Sequence, residues 1–250
     1  MSKIAGVIPA RWASTRLPGK SLVNLCGRPM ICHVVERVKM ATKLDCVVVA
    51  TDDQRIIDAI DVDGVTCVMT SEDHPSGTDR VAEAISKIDD IDIVINIQGD
   101  EPLINPDLID MLAEKMSNDS SWDMATAVTP IKSIDELNNP SVVKAVFGTD
   151  SQALYFSRAP IPFNRDDIDF EKLEAWRHLG IYAYTKDFLE KLVKTPPCML
   201  ETIEKLEQLR ALHIGCKMLV VQTEDDGVGI DTPEDVAAVE SLMVQSKVQR

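Results

Sequence analysis

The chain has 250 residues, a formal net charge of −15 and six cysteines. That length buries a sizeable core in one large domain, or in one domain with an appended lobe. The charge argues against non-specific binding to nucleic acid or anionic membrane, and no apolar run reaches the length of a membrane span. The cysteines (Cys26, Cys32, Cys46, Cys67, Cys198 and Cys216) form no CxxC pair and no zinc spacing with the four histidines. Cys46 and Cys67 lie in apolar runs and read as buried free thiols. The chain enters "KIAGVI" without a secretory pattern, which places it in the cytoplasm as a soluble protein.

In chain order, "IAGVI" reads as a strand. Met30, Ile31, Val34, Val35 and Val38 follow helical spacing. "CVVVAT" (46–51) is a second strand, and "DQRIIDAI" a helix with Asp52 or Asp53 near its cap. "VTCVMT" (65–70) is a third strand, and "TDRVAEAISKI" (78–88) a helix capped by Thr78. "DIVINIQ" (92–98) is a fourth strand, followed by a helix over 107–116 with Pro106 in its first turn. "MATAVTPI" (124–131) is a fifth strand. After about residue 130 the pattern changes. "VVKAVF" and "ALYFS" read as a hairpin turning at Gly148-Thr149-Asp150, and "NRDDIDFEKLE" as an exposed excursion. A strand over 178–185, a helix over 200–213, a strand over 217–223 and a helix over 233–245 follow, the last with Thr232 as cap and Pro233 at its first position.

Strands that are apolar throughout are buried on both faces, which implies a parallel sheet with helices on each side. Such sheets bind ligands at the carboxyl ends of their strands. There stand "PAR", "TDD", "TSEDHPSGTDR" and "QGDEP", after the first four strands in turn.

The chemistry begins with charge. Lys3, Arg11, Arg16, Lys20 and Arg28 all precede the first acidic residue, Glu36. Five cations without an anion, in a strongly acidic chain, fit either a small anionic ligand or a basic stretch balanced in space by acids. Gly19-Lys20-Ser21 resembles the tail of a Walker loop, but that loop's first glycine would fall on Ser14, and Pro18 removes a backbone donor. A looser anion cradle remains, built from turn N–H groups, the hydroxyls of Ser14 and Thr15, and the cations Arg11, Arg16 and Lys20. Asp100, in "QGDEP", is placed either to ligate Mg²⁺ or to cap the next helix. Asp231 is placed either as a second metal carboxylate or as part of a helix start, with Asp225 and Asp226 close enough in sequence to compete. Ser76 and Gly77 offer contacts for a base or sugar, and Arg80 an ion pair with an acid. Glu204 and Gln208 read as sharing a helix face, Glu207 and Arg210 as a surface pair, and Leu206 and Leu209 as core.

In this order the segments "IPARWASTRLPGK", "ATDD", "SGTDR", "NIQGDEP", "LYFSRAPIP", "HLGIYAY", "LEQLR" and "DTPED" resemble the 3-deoxy-manno-octulosonate cytidylyltransferases (CMP-Kdo synthetases) over nearly the whole chain. Trp12 stands where that family more often carries tyrosine. The resemblance implies a Rossmann-like, three-layer α/β nucleotidyltransferase fold with a mostly parallel sheet. It implies a single domain over 1–250, in which about 131–185 forms a small dimerisation and sugar-side lobe. It also implies a Mg²⁺-dependent homodimer that transfers CMP from CTP to the anomeric hydroxyl of Kdo, releasing pyrophosphate, for lipopolysaccharide. The implied catalytic set is Arg11, Lys20, Asp100 and Asp231, with both aspartates on the metal. Ala10, Arg11, Ser14, Thr15, Arg16, Lys20, Ser76, Gly77 and Gln98 would bind nucleotide. Gln98, Arg158, His178, Tyr184, Glu207 and Gln208 would bind the sugar acid, with no role for His178 as general base. A transferase for 8-amino-Kdo or a sialic-type acid, and a nucleotide sensor without turnover, are the alternatives.

Overall fold

The computed structural model describes residues 2–13, 17–166 and 169–248. They fall into two compact units, Met1–Ala113 with Gly227–Arg250, and Glu114–Asp226.

The first unit opens with β1 (Ile4–Ala10). A short antiparallel ribbon, β2 (Asn24–Leu25) and β3 (Arg28–Pro29), leads into α1 (Met30–Lys39). Then come β4 (Cys46–Thr51), α2 (Gln54–Ala59), β5 (Thr66–Met69), α3 (Gly77–Ser86), β6 (Ile93–Asn96) and α4 (Pro106–Asn118), within which the first unit ends at Ala113. β1 runs parallel between β4 and β6, with Val7 beside Val48 and Asn96, and β5 runs parallel to β4. Val7, Ile8, Val48, Val49, Val94 and Ile95 have no exposed surface. Consecutive residues face opposite sides of the sheet, so both faces are covered, as the unbroken apolar runs predict. The inward face of α1 carries Met30, Ile31, Val34, Val35 and Val38. Burying each such side chain contributes about 1.5–3 kcal/mol.

The second unit is mixed. It contains β7 (Met124–Pro130), α5 (Ile134–Asn138), β8 (Lys144–Phe147), β9 (Ala153–Ser157), β10 (Trp176–Thr185), α6 (Lys186–Lys194), α7 (Met199–Glu204), α8 (Gln208–His213) and β11 (Met218–Gln222). β11 runs parallel to β7, β10 antiparallel to β7 and β8, and β8 and β9 form the hairpin expected around Gly148. A bulge between Leu179 and Tyr182 interrupts the β10–β7 ladder. α9 (Pro233–Val248) then belongs to the first unit again.

Three expectations are corrected. α3 starts at Gly77 and its cap is Ser76, not Thr78. Ser76 is extended, its Oγ accepts from the Asp79 N–H at 3.3 Å, and Thr78 is buried in the first turn. The helix expected over 200–213 is two helices, because Lys205 takes a left-handed conformation (φ 56°) and turns Leu206 into the core. Cys46 and Cys67 are half-buried rather than buried, although burial still raises both thiols above their ordinary pKa.

Candidate active site

Because β1, β4, β5 and β6 are parallel, Ala10, Thr51, Met69 and Asn96 end at one edge of the first unit. Two glycines crowd the end of β1. A Cβ on Gly99 would lie 2.6 Å from the Pro9 carbonyl oxygen, and one on Gly77 would lie 3.6 Å from Pro9 Cγ. The turn after β6 therefore passes over β1 only because position 99 lacks a side chain. This passage brings Asp100 to Lys20.

The Lys20 ammonium donates to Asp100 Oδ2 at 2.5 Å and to Asp231 Oδ1 at 2.8 Å, and its side chain is 13% exposed. The Ile230 N–H donates to the Asp100 carbonyl at 2.9 Å, so the backbone before Asp231 is tied to the same turn. Asp231 and Thr232 donate their N–H groups to Asp235 Oδ2 at 2.9 and 2.8 Å, while Asp235 N–H donates to the Thr232 hydroxyl at 3.3 Å. Those two backbone donors, then the Thr232 hydroxyl and the Lys20 charge, hold the Asp235 carboxyl below its ordinary range. This reciprocal cap starts α9 with Thr232 and Pro233 as expected. Asp100 is no helix cap: α4 begins at Pro106, where Asn105 accepts from the Asp107 N–H at 3.1 Å.

Two carboxylates and a cation in contact suit a hard divalent ion whose remaining ligands come from water and phosphate. Among the described residues no three His, Cys, Asp or Glu side chains gather as a metal site. A metal at Asp100 and Asp231 would therefore take its other ligands from water or phosphate. In the second unit, Asp226 accepts from Lys132 at 2.5 and 2.7 Å and receives the Arg177 guanidinium on its carbonyl.

The five early cations part ways. Arg28 pairs with Glu36 and Asp61 at 2.6 Å each, and Lys3 with Asp90 at 3.4 Å. Arg11 is exposed just beyond β1. Ser14, Thr15 and Arg16 lie outside the described residues. The start of the loop is fixed by Asp52, which accepts from the Trp12 N–H at 2.9 Å and from Arg80 Nη2 at 2.7 Å. Arg80, 3% exposed, also donates to Thr70 Oγ1 at 2.6 Å. Arg80 thus finds the acid expected of it. Asp53, not Asp52, caps α2 by accepting from the Arg55 N–H at 2.9 Å. The Arg55 guanidinium brings the Asp53 carboxyl down to about 2. Of the expected nucleotide contacts, Ala10 is buried at the end of β1, Gln98 is half-buried after β6, and the Ser76 hydroxyl donates to Asp79 Oδ2 at 2.7 Å.

In the second unit, burial drives the His178 ring down to about 3, so it is neutral at physiological pH. Its Nε2 lies 2.9 Å from Thr126 Oγ1, whose proton goes to the Ile181 carbonyl at 2.8 Å. The hydroxyl therefore accepts from the ring, which places the proton on Nε2. Phe156 meets His178 edge-on with centroids 4.9 Å apart, and Tyr182 lies between His178 and the buried Tyr184. Gln208 is 4% exposed and its Nε2 has no hydrogen-bond partner, an orphan donor at the start of α8 beside Glu207. Arg158 directs Nε to the Glu204 carbonyl at 2.8 Å and Nη1 to the Pro140 carbonyl at 3.0 Å. Its own carbonyl accepts from buried Lys144 at 2.6 Å, and that ammonium also donates to Val142 and Asn139 carbonyls. Glu204 and Gln208 do not share a helix face. α7 ends at Glu204, whose carboxylate accepts from the Ser157 hydroxyl at 2.7 Å and the Arg158 N–H at 2.9 Å. Arg210 sends its guanidinium to Glu201, with Nε at 2.7 Å from Oε2, while Leu206 and Leu209 are core as expected.

Sequence reasoning missed Asp52 and Lys144. "ATDD" signals a cap without saying which aspartate turns away from it. Nothing in "VVKAVF" marks its lysine as buried.

Residues 5–220 match the family model described as cytidylyltransferase. A relative from Pelobacter propionicus, named 3-deoxy-manno-octulosonate cytidylyltransferase, is 46% identical over 98% of this chain and 99% of its own. One of the same name from Syntrophobacter fumaroxidans is 48% identical over 98% and 99%. Among solved structures, a CMP:2-keto-3-deoxy-manno-octonic acid synthetase complexed with CTP superposes with a TM-score of 0.93 at 43% identity, covering 98% of this chain and all of that one. A Leptospira borgpetersenii cytidylyltransferase shares the fold, with a TM-score of 0.65 at 21% identity over 98% of this chain and 88% of that one.

Proposed function

The chain belongs to the 3-deoxy-manno-octulosonate cytidylyltransferase family, and from that premise we propose that it transfers CMP from CTP to the anomeric hydroxyl of Kdo, releasing pyrophosphate. The observation that carries the reading is Lys20 bridging Asp100 and Asp231 at the carboxyl edge of a parallel sheet. Nucleotidyl transfer asks a protein chiefly for alignment and charge neutralisation. Arg11 and Lys20, with Arg16, neutralise the triphosphate. Asp100 and Asp231 would hold Mg²⁺, which would supply Lewis-acid stabilisation of a phosphate and a lowered pKa for a hydroxyl. Backbone at Ala10, Ser76 and Gly77 receives the base, and Gln98 the ribose or sugar.

In the second unit, Arg158, His178, Tyr184, Glu207 and Gln208 take the sugar acid. The orphan Gln208 amide supports this, since a buried donor left without a partner asks for an acceptor. His178, neutral with its Nε2 proton on Thr126, orients substrate rather than taking a proton. The same reading makes the protein a cytoplasmic homodimer supplying activated Kdo for lipopolysaccharide. Pyrophosphate release with CTP and Mg²⁺ over a panel of sugar acids tests the function. Release with Kdo is expected. Release only with 8-amino-Kdo or a sialic acid reassigns the acceptor, and CTP binding without release from any acceptor makes the protein a sensor.

A further inference from the structure

One hydroxyl fixes the state of His178. Thr126, in β7, has no exposed surface. Its Oγ1 has three polar neighbours: His178 Nε2 at 2.9 Å, the Ile181 carbonyl at 2.8 Å and the Leu179 carbonyl at 3.3 Å. The bulge in β10 brings both carbonyls to it. Ala127 pairs with Leu179 and Thr126 with Tyr182, so Gly180 and Ile181 are extra residues that carry the main chain over the threonine. A hydroxyl has one proton, and a carbonyl can only accept it. The remaining contact must therefore run from the ring to the hydroxyl. We propose that Thr126 is a positioning residue that holds His178 as a hydrogen-bond acceptor, its Nδ1 lone pair presented to a hydroxyl of the sugar acid and unable to serve its carboxylate.

A neutral imidazole divides its two roles between its nitrogens. With the proton on Nε2, Nδ1 has only a lone pair to offer. No described residue donates a hydrogen bond to Nδ1, and His178 keeps part of its surface exposed. Phe156 and Tyr182 fix the plane of the ring, with centroids 4.9 and 5.4 Å from its own. The packing around the ring also keeps it from taking a second proton at neutral pH. A carboxylate is likewise an acceptor without a proton, so it meets Nδ1 lone pair to lone pair. A sugar hydroxyl brings the donor that Nδ1 lacks. The choice of acceptor molecule is thus set partly by Thr126, a residue one step removed from the substrate.

This inference rests on the reading of the protein as a sugar-acid transferase, so one arm of its test needs no substrate. Nitrogen NMR of the isotope-labelled full chain at neutral pH reports the tautomer of each histidine ring, and His178→Gln identifies the signals of His178. The wild type and Thr126→Ser should carry the proton on Nε2 alone. In Thr126→Val the two ring nitrogens should move towards each other as the tautomers mix. In pyrophosphate release, Thr126→Val should raise KM for the sugar acid about tenfold, with KM for CTP within about twofold of the wild type. Thr126→Ser should restore the lower value. Among singly deoxygenated analogues of Kdo, one should be about tenfold poorer than Kdo with the wild type and about equal to Kdo with His178→Phe, because the missing hydroxyl and the missing nitrogen belong to one contact. A wild-type ring protonated on Nδ1 overturns the proposal. So does an unchanged tautomer in Thr126→Val, or a set of analogues whose losses are the same with and without the imidazole. If the valine variant does not fold, the wild-type spectrum and the analogues decide alone. A wild type with its proton on Nε2 but no turnover of any sugar acid would overturn the reading of function and leave the tautomer lock standing.

Discussion

Lys20 donates to Asp100 at 2.5 Å and, from the same ammonium, reaches Asp231 at 2.8 Å. One cation therefore bridges two carboxylates that would otherwise repel, and offsets part of their charge. Replacing it separates its part in stability from its part in chemistry. Lys20→Met should cut turnover about 100-fold or more and lower the stability of the ligand-free protein by about 1 kcal/mol, modest because both aspartates are partly solvated. Mg²⁺ should then raise the melting temperature of the variant more than that of the wild type. Calorimetric melts with and without Mg²⁺ check this, and equal shifts in both proteins would refute it.

His178 makes a pH prediction with a definite sign. Burial brings its folded pKa down to about 3, while in the unfolded chain it titrates near about 6.5. Between those values the unfolded state binds more protons, so stability rises with pH through that window and is lost as pH falls from about 6.5 towards 3. The slope due to this one group is at most about 1.4 kcal/mol per pH unit. Urea unfolding from pH 4 to 7 should show a shallower dependence in His178→Gln than in the wild type.

Gly99→Ala should damage the site through the backbone. A methyl 2.6 Å from the Pro9 carbonyl oxygen cannot be accommodated by a rotamer change, because the neighbour is main chain. We expect a loss of about 1–3 kcal/mol together with a fall in turnover as Asp100 moves. Denaturant titration and kinetics on the same preparation measure both. Wild-type activity would show that the turn can be displaced freely.

Lys144→Met tests the second unit. The lysine has no exposed surface, burial lowers its pKa, and its ammonium is shared among the carbonyls of Asn139, Val142 and Arg158. Methionine fills the volume but leaves three carbonyls without that donor, at a cost of about 3 kcal/mol. If the carbonyl of Arg158 fixes the loop that carries it, KM for the sugar acid should rise while KM for CTP does not. Chemical denaturation and a pair of Michaelis curves decide the matter.

What was legible beforehand follows from the kind of signal each element carries. "CVVVAT" matches β4 residue for residue, because an apolar run bounded by Asp45 and Asp52 leaves its ends little freedom. The shared edge of the strand ends was legible for the same reason, since polar motifs follow each apolar run. Asp100 and Asp231 were legible as a pair, but the ammonium between them was not. Lys20 lies 80 and 211 positions from its partners, and only the fold brings such residues together. Local ambiguity explains the remaining differences. Ser76-Gly77-Thr78-Asp79 contains two residues able to cap, and Ser76 wins because Asp79 lies three places beyond it. The break at Lys205 carries no glycine to announce it.

The first unit is discontinuous, with its core strands encoded in the early residues and Asp231 supplied after the whole second unit has been made. A ribosome working from the amino terminus can fold most of the parallel sheet while the Lys20 cluster still lacks one carboxylate. A chain that stops short of residue 231 would hold Lys20 and Asp100 without their third member. Assembly of the full Lys20–Asp100–Asp231 cluster is thus tied to near-complete synthesis.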